Sequence, residues 1–237
     1  KNVPLQARVY KKAIRKCNLN KDGANLLEKN KPGLDKEKAV KKYDFKKDGK
    51  TKSAVSLVFK SFQKKTESLE FNFCQTTYKS LRGNFFTTSG RGYFRKVKDH
   101  LSHSGGEKKV SFRWELDKPD EQWIFHEDKL FHYFPQQNYA DKYPVKSSVF
   151  GELIALVNVF LDVDELLKKY KAAGIINNRE ILLKPLELGS GIKEIQLSFS
   201  GAKTELSLDK MKISYKGGNY TLYQFENQKT GITPKNK

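Results

Sequence analysis

Apolar and polar residues alternate along most of the chain after residue 68, and this period of two is typical of half-buried β-strands. In the clearest run, Leu69, Phe71 and Phe73 alternate with polar or small neighbours. Clusters of Gly, Asn, Asp and Pro separate the runs and predict tight turns. Further strands are predicted at residues 92–97, 110–115, 122–126, 130–134, 137–142, 180–186, 192–198, 204–208, 212–216 and 220–226. The pattern therefore predicts about ten to twelve antiparallel strands.

Two parts of the chain follow the period of an α-helix instead. A short leading helix is predicted after Ser53, which can cap it. Its apolar positions are Val55, Leu57, Val58 and Phe62. Between the strands, residues 150–161 and 164–170 predict two further helices. The first of these carries an apolar stripe that consists of Leu153, Ile154, Leu156, Val157 and Phe160.

This order of elements predicts a mainly β (α+β) fold. A single sheet of so many strands must curl or be covered, and helices inserted midway along the chain can cross its concave side. We therefore expect an unclosed antiparallel β half-barrel with a helical lid over an apolar cavity, formed by residues 53–237. Residues 1–52 are interpreted as a basic, partly helical N-terminal extension, because they hold too few large apolar side chains for a core of their own.

Charge is distributed unevenly along the chain. The formal net charge is +19, and residues 1–52 supply +11 of it, from 17 Lys and Arg against 6 Asp and Glu. A basic segment of this kind suits an anionic partner such as nucleic acid or a phospholipid or lipopolysaccharide surface, and it equally suits a solubilising role. No apolar run reaches the roughly 18 residues that a membrane span needs.

The two cysteines, Cys17 and Cys74, leave their redox state open. They could form a disulfide in an oxidising compartment, or both could be free thiols. Two cysteines are too few for a four-ligand zinc site. The chain begins at Lys1 rather than Met, so we interpret it as a mature or trimmed product, which is compatible with removal of an export signal.

Catalytic and metal-binding motifs are not evident in the sequence. It contains no Gly-x-Ser-x-Gly elbow, no phosphate-binding glycine loop before a helix and no His-Glu-x-x-His. The pair His100 and His103 has no third ligand nearby in the sequence, which makes a metal site a weak hypothesis. We therefore expect neither an enzyme nor a cofactor or metal.

A nucleic-acid interface is a second weak hypothesis. Arg91, Arg95 and Lys96 interleave with Tyr93 and Phe94, as on a surface that binds single strands. Adjacent residues of a strand point to opposite faces, however, so the two rings cannot form one stacking platform.

Several motifs in the body occur in a familiar order. They are Gly92-Tyr93-Phe94, Phe112-Arg113-Trp114-Glu115, Lys118-Pro119, Asp128-Lys129, Leu130-Phe131-His132-Tyr133-Phe134-Pro135 and Phe225-Glu226-Asn227-Gln228. With the central pair of helices, this order resembles the LolA family, the periplasmic carriers of outer-membrane lipoproteins in Gram-negative bacteria. The resemblance covers roughly residues 54–232.

The chain departs from the family pattern at several places. Lys129 stands where the family has a turn glycine, and Phe131 stands where it has a tryptophan. A polar insert, residues 100–108, separates motifs that the family keeps together. The basic residue that latches the family's lid has no single counterpart here. The candidates are Lys96, Lys98 and Lys108. The final strand of the family pattern is missing after Pro234.

The resemblance implies a carrier that binds acyl chains of lipoproteins, or related lipids, between sheet and lid. Each buried methylene contributes about 0.8 kcal/mol, so large apolar side chains suffice for binding. The expected lipid surface consists of Phe71, Phe73, Tyr93, Phe112, Trp114, Phe125, Phe131 and Tyr133, closed by Leu153, Ile154, Leu156, Val157 and Phe160.

The resemblance further implies a periplasmic monomer that moves lipoproteins from an inner-membrane release complex to an outer-membrane acceptor. The alternative hypothesis is a basic binding module in which residues 1–52 dock on anionic lipid headgroups or nucleic acid.

Overall fold

The structure is a computed structural model. It describes residues 55–62, 67–97, 109–126, 129–144, 155–156, 159–160, 163–176, 179–187, 191–202 and 205–231. The predicted extension, residues 1–52, lies outside the described residues, as does the polar insert at residues 100–108. Both interpretations therefore stay predictions.

Eleven strands in the described part of the chain form one antiparallel sheet. They are β1 (Ser68–Lys79), β2 (Asn84–Val97), β3 (Lys109–Leu116), β4 (Glu121–His126), β5 (Lys129–Phe134), β6 (Tyr139–Pro144), β7 (Tyr170–Ile176), β8 (Glu180–Pro185), β9 (Ile192–Ala202), β10 (Glu205–Tyr215) and β11 (Tyr220–Thr230).

The sheet order is β6-β5-β4-β3-β2-β1-β11-β10-β9-β8-β7. The first and last strands therefore pair in the middle of the sheet, and β6 and β7 form its two edges. Because these edges do not pair with each other, the half-barrel stays unclosed. The mainly β fold, the unclosed antiparallel half-barrel and the number of strands are confirmed, and the apolar cavity under the helices stays a prediction.

Helical segments lie on one side of this sheet. Residues 55–62 form the leading helix, which buries Val55, Val58, Phe59 and Phe62 at the spacing of one helix face. Leu57, predicted to be on that face, is 68% exposed instead. Residues 155–156 and 159–160 are also helical, and a further helix covers Val163–Lys169. None of the helices in the described residues is long and apolar enough to cross a membrane.

Several boundaries differ from the prediction. The stretches 204–208 and 212–216 are one continuous strand, β10, because Asp209 sits at a register shift rather than in a turn. There its carboxylate accepts a 2.6 Å hydrogen bond from Ser200 Oγ. Tyr170, predicted to end a helix, begins β7, a strand that the sequence did not predict. Strand β6 begins and ends two residues later than expected. The chain between β6 and β7, which contains the predicted pair of helices, is called the inserted segment below.

The main core lies on the side of the sheet that carries the helices. Its buried side chains come from the leading helix, from residues 155–156 and 159–160, from the helix Val163–Lys169 and from most of the strands. A separate, smaller cluster of Tyr78, Tyr220 and Leu222, with Phe85 against it, lies on the opposite side. The sheet therefore has a broad apolar concave face and a convex face with one local apolar cluster.

Candidate functional site

The concave face is defined by alternate residues of each strand. In β3, Phe112 and Trp114 are 1% and 3% exposed, while Arg113 between them points outward and is exposed. Strand register continues this face sideways, because Phe112 lies opposite Phe94 of β2 and Phe125 of β4. The result is a continuous row of rings across neighbouring strands.

Two glycines make room for the rings of β1. A Cβ atom at Gly92 would overlap the ring of Phe71, and one at Gly90 would overlap Phe73 and the carbonyl group of Glu115. The glycines therefore let these rings lie directly against the backbone of β2. Trp114 stacks on Phe73, with 3.5 Å between the ring centroids. The sequence predicted a strand that begins at residue 92. In the structure, β2 instead runs through both glycines and begins at Asn84.

Phe160 fills the centre of the concave face. Its ring stacks on Phe71 at a centroid distance of 5.1 Å and meets Phe225 edge-on at 5.7 Å. Three further rings lie within 6.5 Å of it, those of Phe62, Phe94 and Phe112. Leu156 and Phe160 are both completely buried. A side chain of the inserted segment thus occupies the position where the concave surface is most aromatic.

The leading helix covers the neighbouring part of the face. Phe59 and Phe62 both contact Phe199 of β9, at centroid distances of 5.8 and 5.7 Å. Phe62 also contacts Phe160 of the inserted segment. The helical cover over the sheet therefore has two parts from different regions of the chain, the leading helix and the segment that contains Phe160. These two parts meet where Phe62 contacts Phe160.

Toward the β6 edge the concave face becomes more open and more polar. Trp123 stacks on His132 at 3.7 Å, and His132 Nε2 lies 2.9 Å from Glu121 Oε2. His132 thus has an acidic partner on the neighbouring strand. Trp123 and His132 are partly buried, unlike Trp114 on the next strand.

Two tyrosines share one carboxylate on the edge strand. Tyr139 and Tyr143 donate hydrogen bonds to Asp141, at 2.5 and 3.4 Å. The bond to Asp141 is the main cause that raises the pKa of the Tyr139 phenol. For Tyr143 the pKa is raised first by desolvation and then by the charge of Asp141. Both shifts favour the neutral phenols that donate these hydrogen bonds.

The structure brings together seven of the expected lipid-surface residues. These are Phe71, Phe73, Phe112, Trp114, Phe125, Leu156 and Phe160. Leu153, Ile154 and Val157 lie outside the residues whose side chains are described. Whether any of these residues contacts lipid stays a prediction.

Three expected residues lie on the other face, which corrects the predicted surface. Phe125 pairs with Leu130, so the even-numbered residues of β5 point to the concave side, and Phe131 and Tyr133 point outward. Tyr93 also points outward, with Arg113 Cζ 4.5 Å from the centre of its ring. Phe94 is buried on the concave side, which confirms that Tyr93 and Phe94 cannot form one stacking platform.

Several concave rings were not predicted as site residues. They are Phe62, Phe94, Trp123, Tyr223 and Phe225. Trp123 could have been found by extending the parity of Trp114 across the short turn at residues 117–120. Phe94 could not, because the connection between β2 and β3 is too long to carry the parity of Phe112. Phe225 could not have been found in this way. It reaches the site only because β11, the last strand of the sheet in sequence, pairs with β1, the first.

The remaining chemistry of the described residues is limited. Among them, no group of three or more His, Cys, Asp or Glu could hold a metal ion, and His100 and His103 lie outside them. Arg91 and Arg113 on the convex face pair with Glu115, at 3.7 and 3.1 Å. Cys74 is buried and disulfide-bonded. Of the two alternatives that the sequence left open, a disulfide or free thiols, the structure has the disulfide.

Comparison with known proteins agrees with this architecture. Residues 64–237 match the family model described as outer membrane lipoprotein carrier protein LolA. No curated protein sequence matches the chain. A DUF1329 family protein from Desulfovibrio piger has a similar fold, with a TM-score of 0.52, 11% identity, and coverage of 78% of this chain and 95% of that chain.

Two more distant structures carry related descriptions. One is a putative outer membrane lipoprotein-sorting protein domain from Vibrio parahaemolyticus, with 10% identity, a TM-score of 0.45, and coverage of 77% of this chain and 95% of that chain. The other is a LolA superfamily protein from Nitrosomonas europaea, with 9% identity, a TM-score of 0.43, and coverage of 78% and 94%.

Proposed function

Because this chain belongs to the LolA family, we propose that it is a periplasmic carrier of lipoproteins. In this proposal the acyl chains of the cargo bind between the concave face and the helical cover. The carrier receives them from an inner-membrane release complex and passes them to an outer-membrane acceptor. The chain itself acts as a binding protein and does no catalysis.

The position of Phe160 is the observation that carries this proposal. Five rings surround it, and they belong to the leading helix and to four different strands. Phe160 itself belongs to neither, since it lies in the segment between β6 and β7. Outward movement of that one segment would expose a surface of large rings without breaking any pair of strands.

A site filled by its own side chain suits a carrier that must also release its cargo. Each methylene of an acyl chain contributes about 0.8 kcal/mol on burial, so two or three chains can compensate for displacing the segment. The apparent affinity is lowered by the small fraction of molecules that are open. Phe160 therefore competes with the cargo and favours its departure once an acceptor offers an alternative.

The oxidised cysteine supports a location outside the cytoplasm. Cys74 is disulfide-bonded, and structural disulfides persist in oxidising compartments such as the bacterial periplasm. The energy for loading is proposed to come from the membrane partner, because no nucleotide-binding motif is found in the sequence.

A matched pair of substitutions tests the acyl site. Leu156→Glu places a charge in a fully buried position of the cover, whereas Leu57→Glu makes the same change at an exposed position of the leading helix. Binding of a fluorescent fatty-acid probe should fall on the order of tenfold or more in the first variant and stay unchanged in the second. Circular dichroism establishes that both are folded.

A second variant keeps the test decisive if Leu156→Glu does not fold. Phe160→Ala removes the competing ring, so it should bind the probe more tightly than the wild type even though its stability falls. Equal or weaker binding by Phe160→Ala would show that the concave face is ordinary protein interior. Independently of these variants, mass spectrometry of organic extracts from the purified wild-type protein would identify the cargo class if a lipid is retained.

A further inference from the structure

A leucine stands almost completely in water at one end of the sheet. Leu81 lies in the turn between β1 and β2 and is 99% exposed. The next most exposed large hydrophobic side chain in the described residues is Leu57, at 68%. An isolated exposed leucine is common, so the structural setting of Leu81 decides whether it has a role. We define the tip as residues 79–84 and 215–219.

Hydrogen bonds hold this turn in one conformation. Ser80 Oγ donates to the carbonyl oxygen of Gly217 at 2.6 Å, and the Ser80 amide donates to Asn219 Oδ1 at 2.8 Å. The β1–β2 turn is thus joined to the β10–β11 turn, which lies far away in sequence. Gly83 closes the turn in the left-handed region, with φ 61° and its amide bonded to the Ser80 carbonyl. Leu81 therefore lies on a turn whose conformation is fixed by hydrogen bonds.

The small convex cluster supports the same turn from beneath. Tyr78 contacts Phe85 at 4.9 Å and Tyr220 at 5.3 Å between ring centroids. These rings lie on the residues just before and after the two turns. Tyr78 and Tyr220 are both only 6% exposed, so apolar side chains at this end can be buried where the fold requires it. Leu81 points away from that cluster.

The immediate surroundings of Leu81 are basic. Lys79, Arg82 and Lys216 are exposed, and the tip contains no Asp or Glu. Phe86, 54% exposed, lies two positions past the tip on β2. A protruding apolar side chain with flanking cations matches the layered chemistry of an anionic lipid surface, which has acyl chains beneath negative headgroups.

We propose that the tip docks on the surface of an anionic phospholipid bilayer, with Leu81 inserted below the headgroups. Lys79, Arg82 and Lys216 contact the phosphate groups in this arrangement. A lipid surface fits better than a protein partner, because a stable protein interface buries about 1,200 Å² or more and the tip consists only of residues 79–84 and 215–219. This surface is separate from the concave face, so it does not depend on acyl-chain binding there.

Protein-free vesicles provide the test. The full chain is mixed with vesicles of phosphatidylethanolamine and phosphatidylglycerol, and bound protein is measured by sedimentation. Leu81→Asp should weaken binding about tenfold, since a leucine side chain no longer enters the apolar layer. Leu57→Asp, the same change at another exposed leucine, serves as control. Residues 1–52 are present in both variants, so any contribution of that basic segment cancels.

Depth of insertion gives an independent readout. A tryptophan introduced by Leu81→Trp should be quenched by lipids that are brominated on their acyl chains, after subtraction of the wild-type signal from Trp114 and Trp123. Leu57→Trp should not be quenched. Arg82→Glu should weaken binding at low salt and have little effect at high salt.

Two outcomes would overturn the proposal. One is equal vesicle binding by Leu81→Asp and Leu57→Asp. The other is a loss that occurs only with native membranes and not with protein-free vesicles, which would indicate a membrane protein as the partner. Fatty-acid probe binding should be the same in Leu81→Asp and the wild type. A failure of the tip is thereby distinguished from a failure of the acyl site.

Discussion

The two halves of the sheet bury their concave faces with different side chains. Strands β8 to β10 use mostly aliphatic residues, and almost all of them are completely buried. These are Ile181, Leu183, Ile195, Leu197, Leu208, Met211 and Ile213. Branched aliphatic side chains interdigitate at the density of a protein interior. This half therefore has the properties of a permanent core.

Strands β1 to β6 use aromatic rings, and burial decreases from the middle of the sheet to the edge. Trp114 on β3 is 3% exposed, Trp123 on β4 is partly buried, and Tyr139 on β6 is 53% exposed. Large flat rings offer an apolar surface on which an acyl chain can lie without any rearrangement of the strands. The comparison indicates that the aliphatic half maintains the fold and that the aromatic half provides the proposed binding surface.

The largest expected effect separates stability from binding in the two halves. Leu197→Ala should lower the free energy of unfolding by about 2–5 kcal/mol, because it leaves a cavity in a fully buried position. Phe125→Ala should cost less stability, because that ring is only partly buried, but should weaken fatty-acid probe binding roughly fivefold. Chemical denaturation and probe titration measure the two quantities.

The comparison fails if both substitutions change probe binding equally under conditions in which both variants are folded. Equal losses of stability would likewise show that the two halves are one core. The titration is therefore performed at a temperature where circular dichroism shows native structure for each variant.

A second prediction concerns the way rings are fitted into the aromatic half. Gly92→Ala should lower the free energy of unfolding by about 1–3 kcal/mol, because the new methyl group displaces the ring of Phe71. Gly217→Ala is the control, since a Cβ there meets nothing closer than 4.0 Å. Denaturant titration of both variants measures the difference.

A double substitution identifies the cause of that loss. If the ring of Phe71 is the obstacle, Gly92→Ala should cost much less in a Phe71→Leu background than in the wild type. Additive losses would show instead that the glycine matters for the backbone of β2 and not for the ring.

How much of this architecture the sequence predicts depends on the range of the interaction. Strand β3 was predicted within one residue at each end, because alternation and turn residues are local features. Strand β5 has apolar residues at both parities, Leu130 and Phe134 on one side and Phe131 and Tyr133 on the other. Alternation alone could not choose between them, and the pairing of Phe125 with Leu130 makes the choice.

The centre of the site was even less accessible from the sequence. The helical stripe that contains Leu156 and Phe160 identified a buried face. It could not identify the five rings around Phe160, which come from four strands and the leading helix. One of those rings, Phe225, reaches Phe160 only because β11 pairs with β1, an interaction across more than 140 residues. The order of elements predicted the half-barrel but not which rings surround Phe160.

The smallest expected effect compares the two edges of the sheet, each of which begins with a tyrosine. Burial raises the pKa of Tyr170 on β7 above its ordinary value of 10.0. The unfolded chain therefore loses this proton at lower pH than the folded chain does. Stability from the neutral phenol is fully present below pH 10 and is lost as pH rises through the raised pKa of the folded state.

Tyr170→Phe keeps the buried ring and removes that titration. Between pH 9 and pH 11 the wild type should lose more unfolding free energy than this variant, as measured by denaturant titration at each pH. Tyr139→Phe on β6 should change the pH dependence much less. Its phenol is exposed, and the bond to Asp141 that raises its pKa is screened by water. Identical pH dependence for Tyr170→Phe and the wild type would mean that water reaches Tyr170 on the β7 edge as readily as it reaches Tyr139 on the β6 edge. The distinction between the two edges would then be lost.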